Sequence, residues 1–227
     1  MKNISCIIFD LDGTLTGTNE LIFATFNYIA EKYLGKKYSS EEITNLFGPT
    51  EEVVIRNLID EKYVDDALND FYNFYETHHP KMAHAYNGIR ELLDFLKEKG
   101  LILAIFTGKG KRTALITLNA IGLLNYFDII ITGDDVENHK PSADGIKKVM
   151  SKFGLKSEQV LMVGDSVADV KAAREAGVKI AAVLWDSYAK EKVMQMNVDY
   201  AFHDVKDFFI WLKNNISKDE VESANSR

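Results

Sequence analysis

The chain moves between two rhythms of apolar and polar positions. Ile4 to Phe9 is a short, almost unbroken apolar run followed by turn residues, the pattern of a strand buried on both faces. From about Asn19 to Met82 the apolar residues recur at helical spacing among charges and aromatics, with no convincing strand. There Ser39 and Glu42 form a capping-box pattern, Pro49 fits a helix entry, and Phe71, Phe74 and Tyr75 make an aromatic stripe suited to core packing. From Asn87 onward helix and strand alternate. Asn87 is expected to cap a helix running to Gly100, followed by a strand Leu101 to Phe106. A helix Lys111 to Ile121, closed by Gly122, leads to a strand Asp128 to Ile131. Then come a helix Ser142 to Phe153, a strand Val160 to Val163 and a helix Val167 to Ala176 ended by Gly177. A strand Lys179 to Leu184 and a last strand–helix pair between Asp199 and Leu212 complete the series.

Repeated strand–helix units predict an α/β fold: a doubly wound, parallel, Rossmann-like sheet with helices on both faces. The helical stretch interrupts this core after its first strand. The expected division is 1–15 and 84–216 for the core, 16–83 for a helical-bundle insert, and 217–227 for a polar tail.

Composition narrows the function classes. The 227 residues are 46% hydrophobic and 27% charged, as in an ordinary globular protein, and the net charge of -7 speaks against binding nucleic acid or an anionic membrane surface. No apolar stretch approaches the ~20 residues of a membrane helix. The single cysteine, Cys6, cannot make an internal disulfide and reads as a small buried side chain. No signal-type segment precedes the first apolar run, so a soluble, cytoplasmic protein is expected.

Ligands of doubly wound sheets bind beyond the carboxyl ends of the strands. Four polar clusters fall there: Asp10-Leu11-Asp12-Gly13-Thr14, Thr107-Gly108-Lys109, His139-Lys140-Pro141, and Gly164-Asp165-Ser166 with Asp169. Each alone is explicable as a turn, a strand end or a helix cap. Together, each just after a strand, they outline a site. Residues i and i+2 of an extended chain point the same way, so Asp10 and Asp12 are expected to project toward one locus, with Asp165 as a third carboxylate. Converging carboxylates repel unless a cation joins them, and an all-oxygen site suits Mg²⁺. The Thr107 hydroxyl, its neighbouring N–H groups and the Lys140 ammonium match the needs of a transferring phosphoryl group.

In order and spacing these motifs resemble the haloacid-dehalogenase-like hydrolases. That family carries a D-x-D-x-T strand end, a Thr/Ser strand end, a Lys, and a G-D-x-x-x-D element. The resemblance covers nearly the whole chain up to the tail. The insert is similar to the family's four-helix cap, as in phosphoglycolate phosphatases and related pyrophosphatases, and "YETHHPKMAHAYNGIRELLDFLKEKG" looks like the cap exit of the latter group. The resemblance implies the roles. Asp10 would attack phosphorus to form an aspartyl-phosphate, and Asp12 would act as acid and then base. Asp10, the Asp12 backbone carbonyl and Asp165 would hold Mg²⁺. Thr107 and Lys140 would bind phosphoryl oxygens, while Asp169 and Ser166 would support the loop. Thr14, Gly108, Lys109, Glu51 and Arg56 are the candidates for contacting the substrate.

The function implied is Mg²⁺-dependent hydrolysis of a small phosphorylated metabolite, either a monoester such as phosphoglycolate or pyrophosphate. Phosphosugar mutases and phosphonate hydrolases of the same family carry Arg or Lys where Glu51 stands, and so lose their signature here. Glu51 reads either as a substrate contact or as a first-turn glutamate favoured by the helix dipole. His78 and His79 read either as site-facing or as surface residues. A phospho-aspartate signalling domain would lack the helical insert. A nucleotide-binding reading of "TGKGKRT" lacks the third glycine of G-x-G-x-x-G.

Overall fold

The computed structural model describes residues 4–216, so the tail expected at 217–227 lies outside the described residues. The sheet contains β1 (Cys6–Phe9), β4 (Ile102–Phe106), β5 (Ile129–Ile131), β6 (Val160–Gly164), β7 (Lys179–Val183) and β8 (Tyr200–Phe202). Every pairing among them is parallel, in the order β5-β4-β1-β6-β7-β8. Apart from the exposed Lys179 at the start of β7, the strands carry no charged residue, because both faces are covered. Period-2 alternation divides each run between two cores. Ile7, Phe9, Leu103, Ile105, Leu161 and Val163 pack beneath α5 (Ile89–Glu98), α6 (Lys111–Ala120) and α10 (Val205–Asn215). Cys6, Ile8, Ala104, Phe106, Val160 and Met162 pack beneath α7 (Asp144–Phe153), α8 (Val167–Ala176) and α9 (Lys190–Met194). Burial pushes the Cys6 thiol up to about 12, in keeping with an inert core residue.

Between β1 and α5 stand α1 (Asn19–Leu34), α2 (Ser40–Thr44), α3 (Glu51–Leu58) and α4 (Val64–Met82). They close over their own core, in which Phe26, Phe71 and Tyr75 are buried. The capping box at Ser39 and Glu42 forms as the sequence predicts. A two-stranded antiparallel ribbon, β2 (Thr16–Gly17) with β3 (His84–Ala85), joins this cap to the sheet domain. No sequence signal points to it, since two residues are too few to show a period.

Three local expectations shift. The residue capping α5 is Gly88, at φ +89°, and not Asn87. Thr50 occupies the N-cap of α3, so Pro49 stands outside the helix rather than at its entry. Helix α7 begins at Asp144, where the Ser142 hydroxyl accepts the Asp144 N–H at 3.3 Å.

Candidate active site

Strand order sets the site. Because β1 lies between β4 and β6, with Phe9 level with Ile105 and Val163, Asp10 stands one residue past that level and Thr107 and Asp165 two residues past it, at the same end of the sheet. The Asp10 N–H continues the ladder to the Val163 carbonyl at 2.8 Å, and the Thr107 N–H does so to Ile131 at 3.0 Å. Lys140 arrives from the loop between β5 and α7.

Asp10 Oδ1 accepts the Leu11 N–H at 2.8 Å and the Lys140 ammonium at 3.1 Å. Among the described residues its Oδ2 accepts no hydrogen bond. Lys140, with its side chain 6% exposed, also donates to Asp169 Oδ1 at 2.6 Å. Asp169 is fully buried, and its Oδ2 accepts from the Ser166 N–H at 2.9 Å and the Ser166 hydroxyl at 2.6 Å. The pair forms the capping box of α8. Ser166 and Asp169 thus support the site by holding Lys140. Gly164 is required there, because a Cβ would lie 2.5 Å from Asp169 Oδ2. Asp165 is reached by the Thr14 hydroxyl at 3.3 Å, and its backbone carbonyl by Ser187 Oγ at 2.6 Å. Thr14 therefore orients a carboxylate of the site. Gly13, at φ +77°, leaves the space that Asp165 fills.

Carboxylate oxygens of Asp10, Asp165 and Asp169 all lie within 4.8 Å of one another. The Asp12 carboxylate, expected to project toward the same locus, is not among them; the ligand atom that the resemblance implies for Asp12 is its backbone carbonyl. The chain turns after Asp10, and the Asp12 carboxylate leaves for another partner. Both its oxygens accept from Lys109 Nζ at 3.2 Å, and the buried Thr18 hydroxyl donates to its Oδ1. The two aspartates of the first motif therefore sit in different electrostatic surroundings, separated by the cations that hold them.

Burial raises the Asp10 carboxyl to about 7, with Lys140 opposing and Asp169 and Asp12 adding to the rise. Asp165 is likewise pushed well above the usual carboxylate range by burial, then by Asp169 and Asp10. Three clustered carboxylates (Asp10, Asp165, Asp169) meet one ammonium group (Lys140), a formal excess of two negative charges. An all-oxygen cluster with that excess fits a divalent cation. Asp10 and Asp165 are the suited ligands, since both oxygens of Asp169 are engaged by Lys140 and Ser166.

The remaining candidates separate. Thr107 Oγ1 accepts the Lys109 N–H at 3.2 Å, so Thr107, Gly108 and Lys109 form one compact turn at the end of β4. Lys109, expected to touch substrate, is instead enclosed, with its side chain 2% exposed. Glu51 is brought to this turn from the cap: it accepts the Gly110 N–H and the Thr113 hydroxyl, each at 2.7 Å, and lies 3.8 Å from Lys109 Nζ. Arg56 is not brought to the site. It pairs with Glu52 at 2.7 Å on an exposed face of α3, because the i,i+4 spacing offers a nearer carboxylate.

Of the two histidines, His78 stacks on Phe74 and bonds its carbonyl, whereas His79 is 1% exposed. Burial holds His79 below the usual imidazole range, Lys109 adds to the lowering, and its Nε2 has no partner among the described residues. The buried Thr50 Oγ1 is also unpartnered there. Sequence reasoning missed Thr18, Thr113 and Ser187. Thr18 lies six residues past Asp12, yet nothing in that spacing marks the contact.

Comparison with known proteins identifies the family. The family model described as haloacid dehalogenase-like hydrolase matches residues 7–183. Pyrophosphatase PpaX of Halalkalibacterium halodurans is 36% identical over 204 residues, covering 90% of this chain and 94% of its own. Pyrophosphatase PpaX of Bacillus pumilus is 33% identical over 206 residues, covering 91% and 95%. Among solved structures, a hydrolase from Pseudomonas syringae superposes with a TM-score of 0.77 at 26% identity, over 94% of this chain and 100% of its own. A predicted phosphoglycolate phosphatase from Haemophilus somnus reaches 0.83 at 24% identity, over 93% and 99%, a likeness of fold. With its four strand-end motifs gathered at one place on such a fold, this chain belongs to the haloacid dehalogenase-like hydrolases.

Proposed function

We propose that the chain is a Mg²⁺-dependent phosphatase acting on a small phosphorylated molecule, with pyrophosphate first and phosphoglycolate-like monoesters second. One observation carries the mechanism: Asp10 and Asp12, two residues apart, are held by different cations, Lys140 and Lys109. Two carboxylates in unlike surroundings can take unlike roles.

In this reading Asp10 Oδ2 attacks phosphorus, forming a P–O bond as the bond to the leaving oxygen breaks. Asp12 donates its proton to that oxygen. Asp12, now a carboxylate, takes a proton from water, whose oxygen attacks the aspartyl-phosphate. Phosphate departs and Asp10 is regenerated. Lys140 keeps Asp10 oriented, and with Thr107 offers positive charge and hydrogen bonds to the non-bridging oxygens. Mg²⁺, held by Asp10, Asp165 and the Asp12 carbonyl, would supply the charge that lets an anionic substrate approach this acidic cluster. Two named PpaX pyrophosphatases at 33–36% identity support pyrophosphate as the first substrate to test. Glu51, where related mutases and phosphonate hydrolases carry a cation, argues against those chemistries.

The test is phosphate release from pyrophosphate, phosphoglycolate and other small esters, with Mg²⁺ and with chelator. Borohydride reduction followed by peptide mass spectrometry should trap the phosphorylated residue as a modified Asp10. No turnover of any substrate, or trapping elsewhere than at Asp10, would overturn the proposal.

A further inference from the structure

Glu51 belongs to the cap, yet among the described residues every polar contact of its side chain is with the sheet domain. The N-cap residue of helix α6 is Gly110, which has no side chain to cap it. Acceptors come from outside the helix: Asp134 Oδ2 takes the Lys111 N–H at 2.7 Å, and Glu51 reaches in from the cap. Oε2 takes the Gly110 N–H and Oε1 the Thr113 hydroxyl, and the charge lies at the positive end of the helix. A Cβ at residue 110 would stand 2.6 Å from Oε2, so the glycine makes room for this docking.

The same Glu51 carboxylate borders Lys109, the residue just before the N-cap of α6. The Lys109 ammonium is enclosed by Asp12 at 3.2 Å, Glu51 at 3.8 Å and the Tyr75 ring at 4.9 Å. Two of those three walls come from the cap. Burial alone would lower this ammonium, but Asp12, Tyr75 and Glu51 raise it above the ordinary lysine range. A lysine stem has many rotamers, and an ammonium boxed in on three sides keeps one. With both oxygens engaged and a negative charge, Glu51 is poorly suited to an anionic substrate.

We infer that Glu51 is a positioning residue: docked on the start of α6, it fixes Lys109 against Asp12, so the cap itself aims the acid–base carboxylate. This rests on the acid–base role proposed for Asp12, and the experiment separates the two.

Each variant is assayed on an aryl phosphate with a good leaving group (p-nitrophenyl phosphate) and on an alkyl phosphate with a poor one (phosphoglycolate). An acid matters mainly for the poor leaving group, so Asp12→Asn should lose ~10²–10⁴-fold in kcat/KM, which reports the phosphorylation half-reaction, on the alkyl ester and far less on the aryl ester. Glu51→Ala and Lys109→Met should show the same bias, with about a tenfold greater loss on the alkyl ester, as a partial loss of that assistance. Glu52→Gln, the same charge change one residue along on the exposed face, should behave as the parent. Gly110→Ala, whose Cβ displaces Glu51 without altering its charge, should repeat the bias and guards against a misfolded Glu51 variant. Equal losses on both esters, or none, in Glu51→Ala and Gly110→Ala would overturn the inference while leaving Asp12 its role. No bias in Asp12→Asn would remove the acid–base reading and the inference with it.

Discussion

Lys140→Met tests the charge arithmetic of the site. The lysine is almost wholly buried between Asp10 at 3.1 Å and Asp169 at 2.6 Å, whose side chains are 13% and 0% exposed. Methionine keeps most of the volume and removes the charge. The excess of negative charge then grows from two to three in a place water barely reaches. Removing one partner of a buried pair costs about 3–5 kcal/mol, and here two partners are left. The cost should depend on pH with a definite sign. Burial pushes the Asp10 carboxyl in the fold up to about 7, against 3.8 for an ordinary exposed aspartate. Between those values the native state holds a proton that the unfolded chain has lost, so stability falls as pH rises through that window and levels off above 7. Without Lys140, which lowers the Asp10 value, the upper end of the window moves higher. Each further pH unit then costs the variant about 1.4 kcal/mol, most of which the parent no longer loses. Urea unfolding of metal-free parent and variant at pH 6, 7 and 8 measures this directly. The destabilisation should widen by up to about 1 kcal/mol between pH 7 and 8, because the parent still loses a fraction of its own ~1.4 kcal/mol per unit there, and Mg²⁺ should narrow it. A constant difference across that range would refute the reasoning.

Asp10→Asn should abolish turnover while leaving the circular dichroism spectrum unchanged, because an amide is a poor nucleophile; substantial activity in the purified variant contradicts the covalent route. Chelation should stop hydrolysis and lower the melting temperature, and Ca²⁺ should restore the second better than the first, since its coordination is looser and larger. Full activity in excess chelator contradicts the metal site. Gly164→Ala should cost about 1–3 kcal/mol by overpacking against Asp169 and loosen Lys140, so that denaturation midpoint and activity fall together; an unchanged midpoint would show that Asp169 yields freely.

Much of this protein is legible along the chain because its signals are local. An apolar run of a few residues, a helical stripe such as Phe71 with Tyr75, or a closing glycine such as Gly177 depends on neighbours within a turn or two. The strand–helix alternation, the helical insert and the four strand-end motifs are signals of that kind, and the family resemblance rests on them. What required the tertiary structure was who pairs with whom. Asp10 and Asp12 alternate on paper, yet the Asp12 carboxylate turns to Lys109, and Asp169, read from the sequence as a supporting residue, joins Asp10 and Asp165 in the acidic cluster. The Asp12–Lys109 contact spans 97 residues of sequence and Gly110–Glu51 spans 59, across two separately packed cores. Whether a glutamate contacts substrate or caps a distant helix depends on where the cap lands. That is decided by the packing of whole surfaces, which leaves no periodic trace in the sequence.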